Sequence, residues 1–252
     1  MTTRRIVVIL VTFIVVSTVA SPLLTIAQDR MGVDPDVLRF TTFATTAGAL
    51  AVWVCWPSAR RAGTVTRTGI LSGVGLAVLL AFVLVAVLFT LNLTQGARWP
   101  LLDPATLPAP LVGLLSLQIF GVAGEEIGWR GVVQPLLERR FSVLVSGVIT
   151  GLLFGLGHFY VLPAAGVLVY GVFVISAVGL SVSLAVLTAG RALIPRIALA
   201  TCFHWLVNSA ILLLFSDGDE SLLWTSNLAI AAVVTAVGSL LLSAPRYRAE
   251  SH

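Results

Sequence analysis

The chain has 252 residues, of which 58% are hydrophobic and 10% charged, and its mean hydropathy is +1.04. Water-soluble domains carry about a quarter charged residues, and disordered chains are more polar still, so both classes are excluded. The net charge of +4 rests on fifteen basic residues that are all arginine; they are scattered between apolar segments without a basic stripe, which excludes nucleic acid as a partner.

A membrane-spanning helix needs about 20 mostly apolar residues. In chain order the candidates are Ile6–Ile26, Leu38–Trp56, Gly69–Leu93, Leu107–Leu137, Val143–Tyr160, Ala164–Ala189, Leu193–Phe215 and Leu222–Ser243. The sequence therefore predicts an all-α, polytopic integral membrane protein of about eight transmembrane helices, forming a single domain over residues 1–252. The fourth segment is the longest and has polar residues in its middle. The connections are short and rich in Pro, Gly, Asp and Arg, as at Asp34-Pro35-Asp36 and Asp217-Gly218-Asp219.

The charges orient this chain. With the N-terminus inside, the inside positions hold eleven arginines: Arg4, Arg5, Arg60, Arg61, Arg67, Arg139, Arg140, Arg191, Arg196, Arg246 and Arg248. The outside positions hold Arg30, Arg39 and Arg98. Arginine excess marks cytoplasmic loops beside anionic lipid, so both termini are expected in the cytoplasm. Membrane lipids are the expected surroundings. The lysine-free, alanine-rich composition reads as that of a bacterial plasma-membrane protein. Arg4 and Arg5, followed by an apolar run and Thr18-Val19-Ala20, also fit a signal peptide. An uncleaved first helix is preferred, because the run continues through Leu23, Leu24 and Ile26 to a spanning length. Cys55 and Cys202 lie in apolar segments and read as small buried residues.

Three charges remain inside an apolar segment: Glu125, Glu126 and Arg130. His158 and His204 also fall in apolar segments. Ionisable groups in a bilayer are costly unless paired or hydrated, which makes them functional candidates. Glu126 and Arg130 stand at i and i+4, in the favourable order for an ion pair. Glu125 is turned about 100° from Glu126 on a helix and is free to be the working carboxylate. His204 and Asn208 share a face at i and i+4, and so do Phe154 and His158. Glycines 124, 128, 131, 155 and 157 allow close helix approach nearby.

This set can hydrolyse an acyl bond. A Glu, alone or with a His, takes a proton from water, and His and Asn donors stabilise the oxyanion of a tetrahedral intermediate. Glu125, His158 and His204 are also a possible zinc ligand set, although no HExxH is present to make that assignment outright. The plainer readings are a structural ion pair for Glu126 and Arg130, and packing roles for Trp129 and Trp205. Trp53 and Trp56 suit an interfacial belt.

Glu125-Glu126…Arg130, Phe154…His158 and His204…Asn208, in this order within a polytopic chain, resemble the EExxxR, FxxxH and HxxxN signatures of the CPBP intramembrane protease family. That family groups type II CAAX prenyl endopeptidases with bacterial Abi and bacteriocin-processing relatives. The resemblance covers residues 118–209. It implies an endopeptidase acting inside the membrane on a membrane-bound or lipid-attached substrate. It also implies that Glu125 and His158 activate water, that His204 and Asn208 hold the oxyanion or help bind a metal, and that Glu126 and Arg130 shape the site. Two other functions compete with this one. A proton-coupled transporter also uses buried Glu, Arg and His, but shows internal repeats that are not seen here. A non-catalytic scaffold or immunity member of the same family would not need the full motif set.

Counting helical rise at about 1.5 Å per residue puts His204 roughly 12 Å from Arg196, Glu125 roughly 20 Å from Glu138, and His158 roughly 24 Å from Phe141. These depths do not coincide. Extension of the fourth and fifth helices beyond the bilayer is the expectation that reconciles them.

Overall fold

The computed structural model describes residues 1–60, 69–95, 105, 107–214 and 221–249. Among these residues there are eight helices and no strand. They are α1 (Thr3–Met31), α2 (Ala44–Cys55), α3 (Ile70–Thr94), α4 (Leu111–Leu137), α5 (Val143–Gly157), α6 (Val161–Thr188), α7 (Leu193–Leu214) and α8 (Leu222–Ala249). The loop charges Arg61, Arg67, Arg98, Asp103, Asp217, Asp219 and Glu220 lie outside the described residues, as does Phe215.

Local chemistry sets several boundaries. The Thr2 hydroxyl caps α1 by accepting from the Arg5 amide, and Gly32 ends it in the left-handed region at φ 63°. Ser142 caps α5 by accepting from the Val145 amide. Such caps satisfy amides that a helix start leaves without partners.

Six helices are long and apolar enough to cross a membrane: α1, α3, α4, α6, α7 and α8. The stretches Phe40–Cys55 and Val143–Gly157 are shorter. At about 1.5 Å per residue, the 15 residues of α5 rise roughly 22 Å, less than the ~30 Å hydrocarbon thickness. Large apolar side chains point outward along the long helices, including Leu71 at 83% exposure and Phe82 at 69%. Water would not tolerate that much apolar surface, whereas lipid requires it. The chain is an integral membrane protein.

The chain groups into two compact units, each drawn from three separate stretches. The first comprises Met1–Ile70, Pro104–Arg140 and Gly190–Trp205. The second comprises Leu71–Asp103, Phe141–Ala189 and Leu206–His252. In the first, α2 lies close against α4: a Cβ added at Gly128 would stand 2.5 Å from Thr45 Cβ. The Thr45 and Thr46 hydroxyls both donate to the Gly124 carbonyl, at 3.1 and 2.6 Å. At one end of this unit Arg139 donates to the Ser58 carbonyl and Arg140 to the Met1 carbonyl. The chain start, the end of α2 and the end of α4 thus share that end.

In the second unit α5 lies on α6 through Gly147, Gly151 and Gly155. A Cβ on Gly151 would stand 2.6 Å from Val178 Cα, and one on Gly155 3.0 Å from Val174 Cα. On the other side of α6, Gly179 meets Ala232 of α8 in the same way. Asn227 of α8 donates to Asn92 of α3 and to Gln95 just past its end, both at 2.7 Å. The first turn of α6 is broken at Gly166, whose φ of 84° and ψ of 169° lie in a region open essentially to glycine alone. The long helix therefore starts after this break.

Candidate active site

The first unit brings four of the motif side chains together. Glu126 is fully buried and Arg130 is 2% exposed. Arg130 Nη1 donates to Glu126 Oε1 at 3.2 Å, and Nε lies 3.2 Å from Oε2. The same Glu126 Oε1 lies 2.7 Å from His204 Nδ1. A carboxylate only accepts, so Nδ1 carries the proton of that bond. Nε2 of His204 lies 3.9 Å from Glu125 Oε2. Glu125 and His204 are each slightly open, at 16% and 12% side-chain exposure.

The imidazole therefore stands between two carboxylates, one bonded and one just beyond hydrogen-bond range. Helical rotation had separated Glu125 from Glu126, yet both reach His204. Beside His204, Trp205 donates its indole N–H to the Leu115 carbonyl at 2.8 Å and ties α7 to α4.

The backbone under this cluster is irregular. Residues Trp129–Val133 form a π turn inside α4. Such turns are rare and concentrate at functional sites. Trp129, on this turn, packs edge-on against Phe13 at 5.5 Å between ring centroids.

His158 and Asn208 belong to the second unit. His158 follows the last turn of α5 and caps it, because its Nδ1 lies 2.8 Å from the Phe154 carbonyl. That carbonyl can only accept, so Nδ1 carries the proton and Nε2 of the neutral ring keeps its lone pair. The Phe154 ring lies 4.4 Å from the imidazole between centroids, and Phe173 lies 5.3 Å away. The FxxxH spacing thus supplies both the acceptor and the aromatic wall that orient the ring. Tyr170 donates to the neighbouring Leu156 carbonyl at 2.8 Å and holds the same helix end. Asn208 is half-buried on α7, one turn beyond His204.

Two residues read as loop charges are something else. Arg196 is 2% exposed, and its guanidinium forks onto Glu138 with Nη1–Oε1 at 3.1 Å and Nη2–Oε2 at 2.8 Å. Gln134 Nε2 adds a third bond to Glu138 Oε1 at 2.6 Å. Arg191, also counted with the loop charges, is 8% exposed. Position near helix ends suggested solvent, but Glu138 at the end of α4, Arg191 just before α7 and Arg196 in its first turn are all largely enclosed. A signal was present: Glu126, Arg130, Gln134 and Glu138 follow one another at i+4, as do Arg196, Ala200, His204 and Asn208.

No curated protein matches the chain. Residues 107–210 match the family model described as type II CAAX prenyl endopeptidase Rce1-like, a stretch that contains all three motifs and most of α4, α5, α6 and α7. Over that stretch the chain is similar to the type II CAAX prenyl endopeptidase Rce1-like family.

Proposed function

We propose that this protein is an intramembrane endopeptidase that hydrolyses a peptide bond of a membrane-bound or lipid-attached substrate. The observation that carries the reading is the buried cluster of Glu125, Glu126, Arg130 and His204, held by two spanning helices within the matched stretch. Purely structural pairing needs one acid for Arg130. Here two acids meet one guanidinium and one imidazole.

Charge balance assigns protonation. Two carboxylates and one guanidinium leave one negative charge, which an imidazolium at His204 cancels. With Nδ1 bonded to Glu126, only the imidazolium has an N–H left at Nε2. A group within hydrogen-bond reach of both Glu125 Oε2 and His204 Nε2 fits across their 3.9 Å separation.

The steps follow from these roles. Glu125 takes a proton from water, a role that the motif resemblance assigns to it jointly with His158. The hydroxide attacks the peptide carbonyl. His204 Nε2–H and the Asn208 carboxamide donate to the oxyanion. Glu125 returns the proton to the leaving amine as the carbon–nitrogen bond breaks. Glu126 and Arg130 hold His204 and balance its charge.

Zinc on Glu125, His158 and His204 is the alternative. Glu126, the other acid of the motif, already serves Arg130 and His204. No step is derived through metal.

The arginine-rich loops place both termini in the cytoplasm of a bacterial plasma membrane in this reading. The contacts of Arg139 and Arg140 with Ser58 and Met1 support one side for three of those stretches. The test compares membrane proteomes of cells carrying wild-type or Glu125→Gln protein. A new peptide terminus present only with wild type is expected. Identical termini in both would overturn the reading.

A further inference from the structure

The two polar rows extend beyond the motif residues. On α4 the row runs from Glu126 through Arg130 and Gln134 to Glu138, and on α7 it runs from His204 back through Ala200 to Arg196. The rows meet at two places. One is the His204–Glu126 bond of 2.7 Å. The other is the two-pronged Arg196–Glu138 pair at 3.1 and 2.8 Å, braced by Gln134 at 2.6 Å. The proposed hydrolysis uses neither Glu138 nor Arg196, and both lie away from the reacting groups.

We infer that Glu138 and Arg196 are positioning residues: their pair sets the axial register of α7 on α4 and so brings His204 Nδ1 onto Glu126. Apolar contacts between helices in lipid discriminate poorly among registers, because lipid tails are as apolar as leucine. A slip of one residue moves a side chain about 1.5 Å along the axis and about 100° around it. A 2.7 Å bond does not survive such a slip. The fork of Arg196 on Glu138 tolerates neither movement, since two parallel bonds fix distance and orientation together.

Two separated rungs also do what one cannot. Arg196 and His204 are eight residues apart, a rise of about 12 Å. Anchoring both removes sliding and rotation; the His204 end alone, with the adjacent Trp205–Leu115 bond, would leave the Arg196 end of α7 free to pivot. Only the consequence for hydrolysis rests on the function proposed above. The coupling between the two rungs does not.

The chain has three histidines, so the full-length protein labelled with 15N-histidine and placed in lipid nanodiscs gives a simple imidazole spectrum. The His204 resonance is assigned by its disappearance in His204→Asn. Its bonded Nδ1–H proton is expected in wild type. It should be lost or shifted in Arg196→Gln, shifted in the shape-preserving Glu138→Gln, and restored in the exchanged double variant Glu138→Arg/Arg196→Glu. An unshifted His158 resonance in each variant reports that the protein has folded. An unchanged His204 signal in both single variants would overturn the inference. Should a single variant fail to fold, the exchange decides: a restored signal supports the coupling, and a folded exchange protein without it overturns it. In a cleavage assay kcat should fall by roughly 10²-fold in the single variants, the scale of a 1 Å misplacement, with KM nearly unchanged. Absence of cleavage by wild type would defeat the proposed function and leave the imidazole readout intact.

Discussion

The helix pair α4/α7 in the first unit and the pair α5/α6 in the second solve one problem by opposite chemistry. Both present a row of residues at i+4 spacing. On α4 the row is Glu126, Arg130, Gln134 and Glu138, and it meets α7 through charged hydrogen bonds. On α5 the row is Gly147, Gly151 and Gly155, and it lets the backbones of α5 and α6 approach until a single methyl would collide. Lipid supplies no hydrophobic drive for helices to associate, so packing and polar bonds must do it. Glycine rows achieve closeness with no buried charge. Polar rows achieve register and, as a by-product, hold ionised groups inside the bilayer. The contrast teaches that buried charge and helix register rest on the same interactions in the first unit, whereas glycine packing sets the approach of helices in the second.

This contrast can be broken by experiment. The largest effect is expected at Glu125, whose carboxylate is partly open at 16% side-chain exposure. Glu125→Gln should lower the rate of substrate cleavage by about 10²- to 10⁴-fold, the range of general-base losses, with the thermal transition in detergent unmoved. A large loss of stability would mean that Glu125 is structural like its neighbour.

Glu126→Ala should behave in the reverse way. It leaves Arg130 buried without its acid, at a cost of about 3–5 kcal/mol, and should lower the melting temperature in detergent markedly. A stable Glu126→Ala protein would show that the polar row does not hold the helices.

In the second unit, Gly151→Leu overpacks the α5/α6 contact and should cost about 1–3 kcal/mol without touching an ionisable group. Gly171→Ala, where a Cβ meets nothing within 4 Å, is the matched control and should leave stability unchanged. A neutral Gly151→Leu would remove the basis for the comparison.

The smallest effect is expected at Tyr170. Loss of its bond to the Leu156 carbonyl in Tyr170→Phe should cost about 1 kcal/mol, read as a small drop in melting temperature. An unchanged transition would show that the His158 cap holds the end of α5 alone. A separate check addresses the cofactor: cleavage should survive prolonged treatment with a strong chelator, and its loss with recovery on added zinc would favour the metal reading.

The sequence by itself determined the class and the eight helices, and it singled out the candidate site residues. Runs of apolar residues set helix length, and charge scarcity made each exception conspicuous. Spacing placed Glu126 with Arg130, Phe154 with His158, and His204 with Asn208, because faces of a helix follow from residue number alone. Boundaries were less legible. The fourth apolar segment starts at Leu111 in the structure, since Pro108 and Pro110 precede it and proline disfavours helix in the residue before it. The π turn at Trp129–Val133 has no periodic signature.

Only the tertiary structure decided partners. Spacing cannot say which helix a face meets, so Arg196 and Glu138 read as loop charges until α7 was seen lying along α4. It likewise could not show that Glu126 serves His204 as well as Arg130, because a buried carboxylate has two oxygens and accepts from whatever the packing brings near. The physical reason is the same in each case. A helix is a local structure whose geometry follows from its own chain, whereas an ion pair between helices depends on the register in which two such rods come to rest.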